Sequence, residues 1–336
     1  MRNVCSYLAF LCIFLVVSVI VSCAPPALPS DSPSKTPAVK EPATAPAKEP
    51  RERLYEIEQQ YTLKNNGPGV TSRALLRLAL LATREPYQKM LSAKPATDDY
   101  KKTEDEYGNA FAEFEFKNLN LSQEVSVKIV YQLAANDVQY RLERCTGPML
   151  TQFLEPENWV ESNKDEIVAL AKELTKDKVN PCEKAWAFYD WIGNNINYSR
   201  MEKEMGALYC LQNKSGDCTE FSYLMIALCR ATGIPARLIN GLVYSRTNPQ
   251  ADTRHNWVEV YLPGSGWVPA DPTWGRAKAH RDKYFARMSP DHIIFSIGHP
   301  ASLAKLTHYF KDVESSYWSS QKQNMSRDTS WRITLK

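Results

Sequence analysis

A chain of 336 residues that is 43% hydrophobic and 24% charged has room for two folded units, and its composition excludes wholesale disorder. The net charge of +3, with no dense Lys/Arg stripe, leaves no electrostatic footprint for nucleic acid, so that partner class is set aside.

The N-terminus places Arg2 ahead of a mostly apolar stretch from Leu8 to Val21, closed by Ser22 and Cys23. Residues 1–22 have the layout of a secretory signal peptide. The run Ile20-Val21-Ser22-Cys23 resembles a bacterial lipobox, in which the cysteine is lipidated and becomes the first mature residue; Cys23 is the expected anchor. An uncleaved signal anchor is the alternative, since the stretch approaches the length that spans a bilayer. Either form attaches the chain to a membrane. Residues 23–50 carry Pro25, Pro26, Pro29, Pro33, Pro37, Pro42, Pro46 and Pro50 and no aromatic residue. They form a lipid-anchored, proline-rich linker, unable to bury a core and extended enough to hold a folded head off a lipid surface. The expected location is a bacterial envelope membrane, at the periplasmic face of an outer membrane or the cell surface.

From 51 to 147 the apolar residues recur with period two: Tyr55, Ile57, Tyr61 and Leu63; Leu76, Leu78 and Leu80; Ala112, Phe114 and Phe116; Val125, Val127, Ile129, Tyr131 and Leu133. Turn signals at Asn65-Asn66-Gly67-Pro68-Gly69, Lys94-Pro95 and Tyr107-Gly108-Asn109 separate the runs. This pattern predicts an N-terminal all-β sandwich.

Between 148 and 300 the period becomes helical. Ile167, Leu170, Ala171 and Leu174 line one helix face, and Asn180-Pro181 with Glu183 caps a second helix carrying Ala185, Trp186, Tyr189 and Ile192. Trp186 and Trp191 read as core. Asp217 caps a third helix with Glu220 at its third position, and Phe221, Leu224, Met225 and Leu228 form its apolar stripe up to Gly233. Strands are predicted over 236–244 and 255–262, then, after Pro263-Gly264-Ser265-Gly266, from Trp267. Helices followed by strands indicate an α+β core. Residues 301–336 form a C-terminal extension in which Trp331, Ile333 and Leu335 alternate as a terminal strand, pairing back onto either domain.

Beyond Cys5, Cys12 and Cys23 there are five cysteines, Cys145, Cys182, Cys210, Cys218 and Cys229, an odd number for an exported protein. The four other than Cys218 are either reduced or paired in one of three connectivities. There is no CxxC and no HxxxH, and no metal or other cofactor is expected. The capping pattern puts Cys218 at the first position of its helix, where unpaired N–H groups and the macrodipole favour a thiolate and an oxyanion. The partner base is sought among five histidines. His280, His292, His299 and His308 read as surface or loop residues, whereas His255 opens a strand with Trp257, Glu259 and Tyr261 on its face. A hairpin register pairing residues whose numbers sum to 526 or 528 brings Asp271 opposite or diagonal to His255, able to orient the imidazole. Glu259 competes for that role but sits roughly 13 Å along the strand.

The runs SGDCTEFSYLMIALCRATGIPARLINGLVY and HNWVEVYLPGSGWVPADPTWG resemble the core motifs of the transglutaminase-like superfamily, over roughly 153–298. Segments 61–66 and 105–109 also resemble the β domain that precedes such cores in bacterial members. The resemblance implies a papain-like core of helices on an antiparallel sheet, with Cys218 as nucleophile, His255 as base and acid and Asp271 as orienter. It also implies an aromatic oxyanion donor, for which Trp191 and Tyr198 are the candidates. Arg237 belongs to the family pattern and reads as half of a structural ion pair. The expected function is cysteine-dependent acyl transfer on peptide or amide bonds of a protein or peptide substrate in the cell envelope, with hydrolysis favoured because water is the default acceptor. Transamidation and a non-catalytic binding module are the alternatives.

Overall fold

The computed structural model describes residues 51–97, 99–105, 107–142, 145–247, 254–298, 313–319, 322 and 324–336. The expected signal peptide and anchor Cys23, the expected linker up to Pro50, His299 and His308 lie outside the described residues.

The period-two segments form β1 (Glu52–Asn65), β2 (Thr71–Ala79), β3 (Gln88–Pro95), β4 (Lys101–Glu104), β5 (Ala110–Leu119), β6 (Glu124–Asn136) and β7 (Val138–Gln139). Their apolar faces meet in one core that includes Tyr55, Ile57, Tyr61, Leu76, Leu78, Phe111, Phe114, Ile129 and Tyr131. Burying alternate residues from two sheets is what a sandwich requires.

The helical segment supplies α1 (Asp165–Thr175), α2 (Pro181–Asn195), β8 (Asn197–Tyr198), α3 (Ala207–Asn213), β9 (Ser215–Gly216) and α4 (Cys218–Ala231). After it come β10 (Ala236–Val243), β11 (Arg254–Leu262) and β12 (Gly266–Ala270), then two 3₁₀ turns over 274–276 and 278–283, β13 (Arg287–Met288) and β14 (His292–Ile297). The chain closes with β15 (Val313–Trp318) and β16 (Met325–Leu335). The short helix α3 escapes the sequence reading because seven residues are too few to display a period.

The fold is α+β, with the sheet β12-β11-β10-β14 carrying helices and a β sandwich of sheets β16-β1-β6-β3 and β15-β2-β5-β4. The last two strands complete the sandwich, one in each sheet. β16 runs along β1 from Tyr55 opposite Leu335 to Asn65 opposite Met325, and β15 lies on β2. Helix α4 is buried on every side, from Thr219 through Arg230. A helix apolar all round belongs in an interior, and α4 contacts β11 and β10 on one side and α1, α2 and α3 on the other.

Edge strand β14 is closed by side chains of the sandwich. Gln88 donates to the Ile294 carbonyl at 2.9 Å and accepts the Ile294 N–H at 2.7 Å; Asn109 does the same for Ile297, at 2.9 Å each way. Two amide groups thus stand in for a neighbouring strand and satisfy buried backbone groups that a bare edge would leave open. Arg53 and Tyr55 add bonds to Asp291, next to the start of β14.

Cys145 and Cys182 form a disulfide between the segment after the sandwich and the first turn of α2, which leaves Cys210 and Cys229 as buried thiols. Arg237 pairs with buried Glu259 at 2.6 Å and lies over the Trp267 ring. Glu259 is therefore engaged away from His255. Among the described residues no helix is long and apolar enough to cross a membrane.

Candidate active site

The nucleophile's position is set locally. Asp217 has extended backbone angles, accepts the Thr219 N–H at 2.9 Å, and forms a capping box with Glu220, which accepts the Asp217 N–H at 3.2 Å. Cys218 is consequently the first helical residue, and its side chain is only partly covered. The same carboxylates hold the preceding loop: Asp217 accepts from Met201 N and Glu220 from Met205 N. Burial, with the neighbouring Asp217 charge, pushes the Glu220 carboxyl up to about 7. Next to this turn, β8 pairs in parallel with β9, setting Tyr198 beside Gly216, two residues before the thiol.

His255 lies near the start of β11, opposite Gly241 of the central strand β10. On the other side of β10, Val243 pairs with His292, so one strand holds two histidines as flanking neighbours. In the hairpin, Val258 pairs with Ala270 and Val260 with Val268, the register whose numbers sum to 528, which makes Asp271 diagonal to His255. Asp271 is fully buried. Its Oδ1 accepts the Thr273 and Trp274 N–H groups at 2.9 Å each, and its Oδ2 meets His255 Nε2 at 2.7 Å and His292 Nε2 at 3.2 Å. With four partners on two oxygens the carboxylate has no spare freedom. Since Nε2 of His255 faces Asp271, Nδ1 is the nitrogen left for the Cys218 thiol, whose influence helps raise the pKa of this imidazole.

Neighbour bonds keep strand and helix in this relation. Asn256 donates to Thr219 Oγ1 at 2.9 Å, tying the residue after the histidine to the residue after the cysteine. Trp274 packs at 5.5 Å from His255 and 4.8 Å from His292, ring centre to ring centre, and Trp257 packs edge-on to His292 at 5.2 Å. The indoles keep water from the buried side of both imidazoles.

The electrostatics divide the two histidines. Burial pulls the His255 imidazole down, but the Asp271 charge and hydrogen bond, together with Cys218, outweigh it and bring the pKa to about 10. Burial likewise opposes the Asp271 charge, and the His255 cation with the bonds from both imidazoles holds the carboxyl well below its usual range. For His292, burial prevails and pushes the pKa down. A neutral His292 donates from Nε2 to Asp271 and accepts at Nδ1 from Ser289 Oγ, 3.1 Å away. Environments that drive two titrating groups apart in this way assign one as the proton carrier and the other as a fixed donor.

His292 corrects the sequence reading. It is fully buried, not a surface or loop residue. The available signal was its place at the head of the apolar run His292-Ile293-Ile294-Phe295, the same strand-opening position that singled out His255. His280 is exposed. Replacing His292 by Phe is expected to lower the unfolding free energy by about 1.5–3 kcal/mol in a urea titration at pH 7, because a charged buried acceptor loses one of its donors.

Of the two aromatic candidates, Tyr198 is 48% exposed and its hydroxyl lies in the field of Cys218. Trp191 instead takes the Lys214 ammonium over its ring at 4.5 Å. His255, Asp271 and His292 bring three metal-ligand atoms within 4.8 Å of one another. However, the distances of 2.7 and 3.2 Å are those of direct hydrogen bonds, so an ion would have to displace both.

The family model described as Transglutaminase-like superfamily matches residues 168–272, which contain all three site residues. The chain is 32% identical over 137 residues to "Uncharacterized protein YebA" of Bacillus subtilis (strain 168), covering 34% of this chain and 18% of that one. It is 33% identical over 73 residues to the "Protein-glutamine gamma-glutamyltransferase" of Pseudomonas aeruginosa, covering 20% of this chain and 11% of that protein. The chain thus spans less than a fifth of either relative. A crystal structure of a candidate cysteine protease from Cytophaga hutchinsonii shares the fold, with a TM-score of 0.57 at 20% identity over 85% of this chain and 98% of that one.

Proposed function

With residues 168–272 forming a core of the transglutaminase-like superfamily, we propose that this chain is a cysteine-dependent hydrolase of peptide or amide bonds. The observation that carries the reading is the continuous relay from the Cys218 thiol through the His255 ring to a fully buried Asp271. Cys218 Sγ attacks the amide carbonyl carbon, and the oxyanion is met by the free first-turn N–H of Cys218, with the Tyr198 hydroxyl at the open side. His255 Nδ1 delivers its proton to the departing nitrogen as the C–N bond breaks, leaving a thioester on Cys218. Water then attacks the thioester, His255 takes the proton of that water, and the carboxylate product leaves as the S–C bond breaks.

The proposed substrates are proteins or peptides of the bacterial envelope, reached by a head tethered through Cys23 and the proline-rich linker. The Cys145–Cys182 disulfide supports an oxidising location of this kind. Transamidation is the second reading, favoured by the printed name of the Pseudomonas aeruginosa relative.

The two are separated by incubating the protein with a glutamine-containing protein and a labelled primary amine. Amide hydrolysis without incorporation, lost in Cys218→Ser, is the expected result; covalent label dependent on Cys218 would establish the transamidase instead. Peptide mapping after brief iodoacetamide treatment at pH 7 should find Cys218 modified and Cys210 and Cys229 intact. Burial pushes both of those thiols well above their ordinary range. A Cys218 that resists the reagent would point to a non-catalytic binding role.

A further inference from the structure

Arg276 differs from four other arginines of the catalytic core. Arg230, Arg237, Arg281 and Arg287 each pair with a carboxylate, Glu157, Glu259, Asp190 and Asp137 respectively. Arg276 is exposed; it donates from Nη1 to the Thr273 carbonyl at 2.6 Å and lays its guanidinium over the Tyr198 ring, 5.0 Å from the ring centre. No carboxylate pairs with it among the described residues. Tyr198, which carries this cation over its ring, pairs with Gly216, two residues before the nucleophile. Asp217, next to Cys218 in the chain, is occupied by the Thr219 and Met201 N–H groups.

The backbone beneath Arg276 is rigid. Buried Arg281 donates to the Gly275 carbonyl at 3.0 Å and to the Arg276 carbonyl at 2.8 Å, while its Nη1 grips Asp190 and Asn194 of α2. The Gly275 N–H returns to the Asp271 carbonyl at 3.0 Å. A Cβ at Gly275 would fall 1.7 Å from the Tyr189 hydroxyl, so only glycine lets this turn lie against α2. One buried guanidinium therefore fixes the strand end that carries Asp271 and the exposed guanidinium over the Tyr198 ring. A planar fork held by one carbonyl and one aromatic face, with its outer edge open, is suited to a carboxylate.

We propose that Arg276 is a specificity-determining residue that binds a carboxylate of the substrate beside the scissile carbonyl. The favoured substrates of the acyl-transfer reaction proposed above, on which this inference rests, are then peptides or amides bearing an acidic side chain or a terminal carboxylate next to the bond attacked. The neighbouring Tyr198 ring holds the fork in place and offers its exposed edge to the same substrate.

The test compares alkylation of Cys218 by iodoacetate, an anion, and iodoacetamide, its neutral analogue, in the full chain and in its Arg276→Gln and Arg276→Lys variants. The ratio of the two rates cancels any change in intrinsic thiol reactivity. That ratio is expected to fall about fivefold in Arg276→Gln, the upper range for one exposed ion pair, and to be partly restored in Arg276→Lys. The difference should shrink in 1 M salt. Succinate, but not succinamide, is expected to slow iodoacetamide labelling of the wild type, and to lose that effect in Arg276→Gln. An unchanged ratio, or rates that fall in parallel for both reagents, would overturn the assignment of Arg276 while leaving the acyl-transfer reading intact. A Cys218 inert to both reagents in the wild-type chain would overturn that reading and this inference with it.

Discussion

Replacing Asp271 by Asn is expected to lower the rate of amide cleavage by about 10³–10⁴-fold, the scale set by the equivalent change in a serine protease triad. Asp271 Oδ2 accepts from His255 Nε2 at 2.7 Å, which fixes the tautomer and leaves Nδ1 toward the thiol. An asparagine can turn its NH₂ toward Nε2 and invert that assignment. It also removes the negative charge that, against burial, brings the His255 pKa to about 10. The sign is direct. His255 is raised above its unfolded value of about 6.5, so its contribution to stability is complete below that value and is lost as pH rises through about 10. Asp271 is depressed, so its contribution is present above its unfolded value of about 3.9 and is lost as pH falls through the folded one. Accordingly kcat/KM of the wild type should hold until an alkaline limb near pH 10, where the imidazolium can no longer protonate the leaving nitrogen. In Asp271→Asn the limb should move toward the ordinary imidazole range. A loss below tenfold with an unmoved limb would contradict this account.

Gly241→Ala is expected to destabilise the protein by about 3 kcal/mol, at the upper end for an overpacked core site, measured by urea unfolding. The added Cβ would lie 2.0 Å from Trp257 Cη2 and 2.6 Å from the Ile293 carbonyl oxygen. The tryptophan ring crosses β10 only because residue 241 has no side chain, a diagonal cross-strand contact on a pleated surface. The carbonyl on the other side belongs to β14 and is held in the sheet, so neither neighbour has room to retreat. Gly241 also pairs with His255, and Trp257 packs on His292, so moving the ring disturbs both imidazoles. Activity should therefore fall further than the fraction unfolded accounts for. Full activity in a folded Gly241→Ala variant would show that Trp257 does not position the site.

The features legible in the sequence are those whose causes are local. Asp217 and Glu220 close a capping box around Cys218, an interaction across three residues that fixes the helix start wherever the helix finally lies. The alternation of β1, β6 and β11 follows from the two-residue period of a strand, and the turn at 263–266 between β11 and β12 restricted the register enough to connect His255 with Asp271. The two buried rows of the sandwich follow from the same alternation.

What escaped the sequence depends on partners brought together across long separations. His292 reaches Asp271 because β10 lies between β11 and β14, an order set by sheet assembly and not by any neighbouring residue. Gln88 and Asn109 close the β14 edge at separations of 206 and 188 residues, and β16 returns from the end of the chain to β1. Packing against α2 joins Cys145 to Cys182 and leaves Cys210 and Cys229 reduced, which is neither the fully reduced set nor any of the three connectivities that pair all four. The exposed Arg276 becomes distinctive only once Arg281, buried against α2, is seen to pin the turn beneath it. Sequence by itself thus determined the nucleophile's helix start and the strands carrying its partners, because hydrogen bonds and side-chain periods within a few residues do not depend on the rest of the chain. Tertiary structure alone decided the second histidine, the closed sheet edge and the cation over the Tyr198 ring, because each exists only after distant segments have met the entropic cost of loop closure and packed in register.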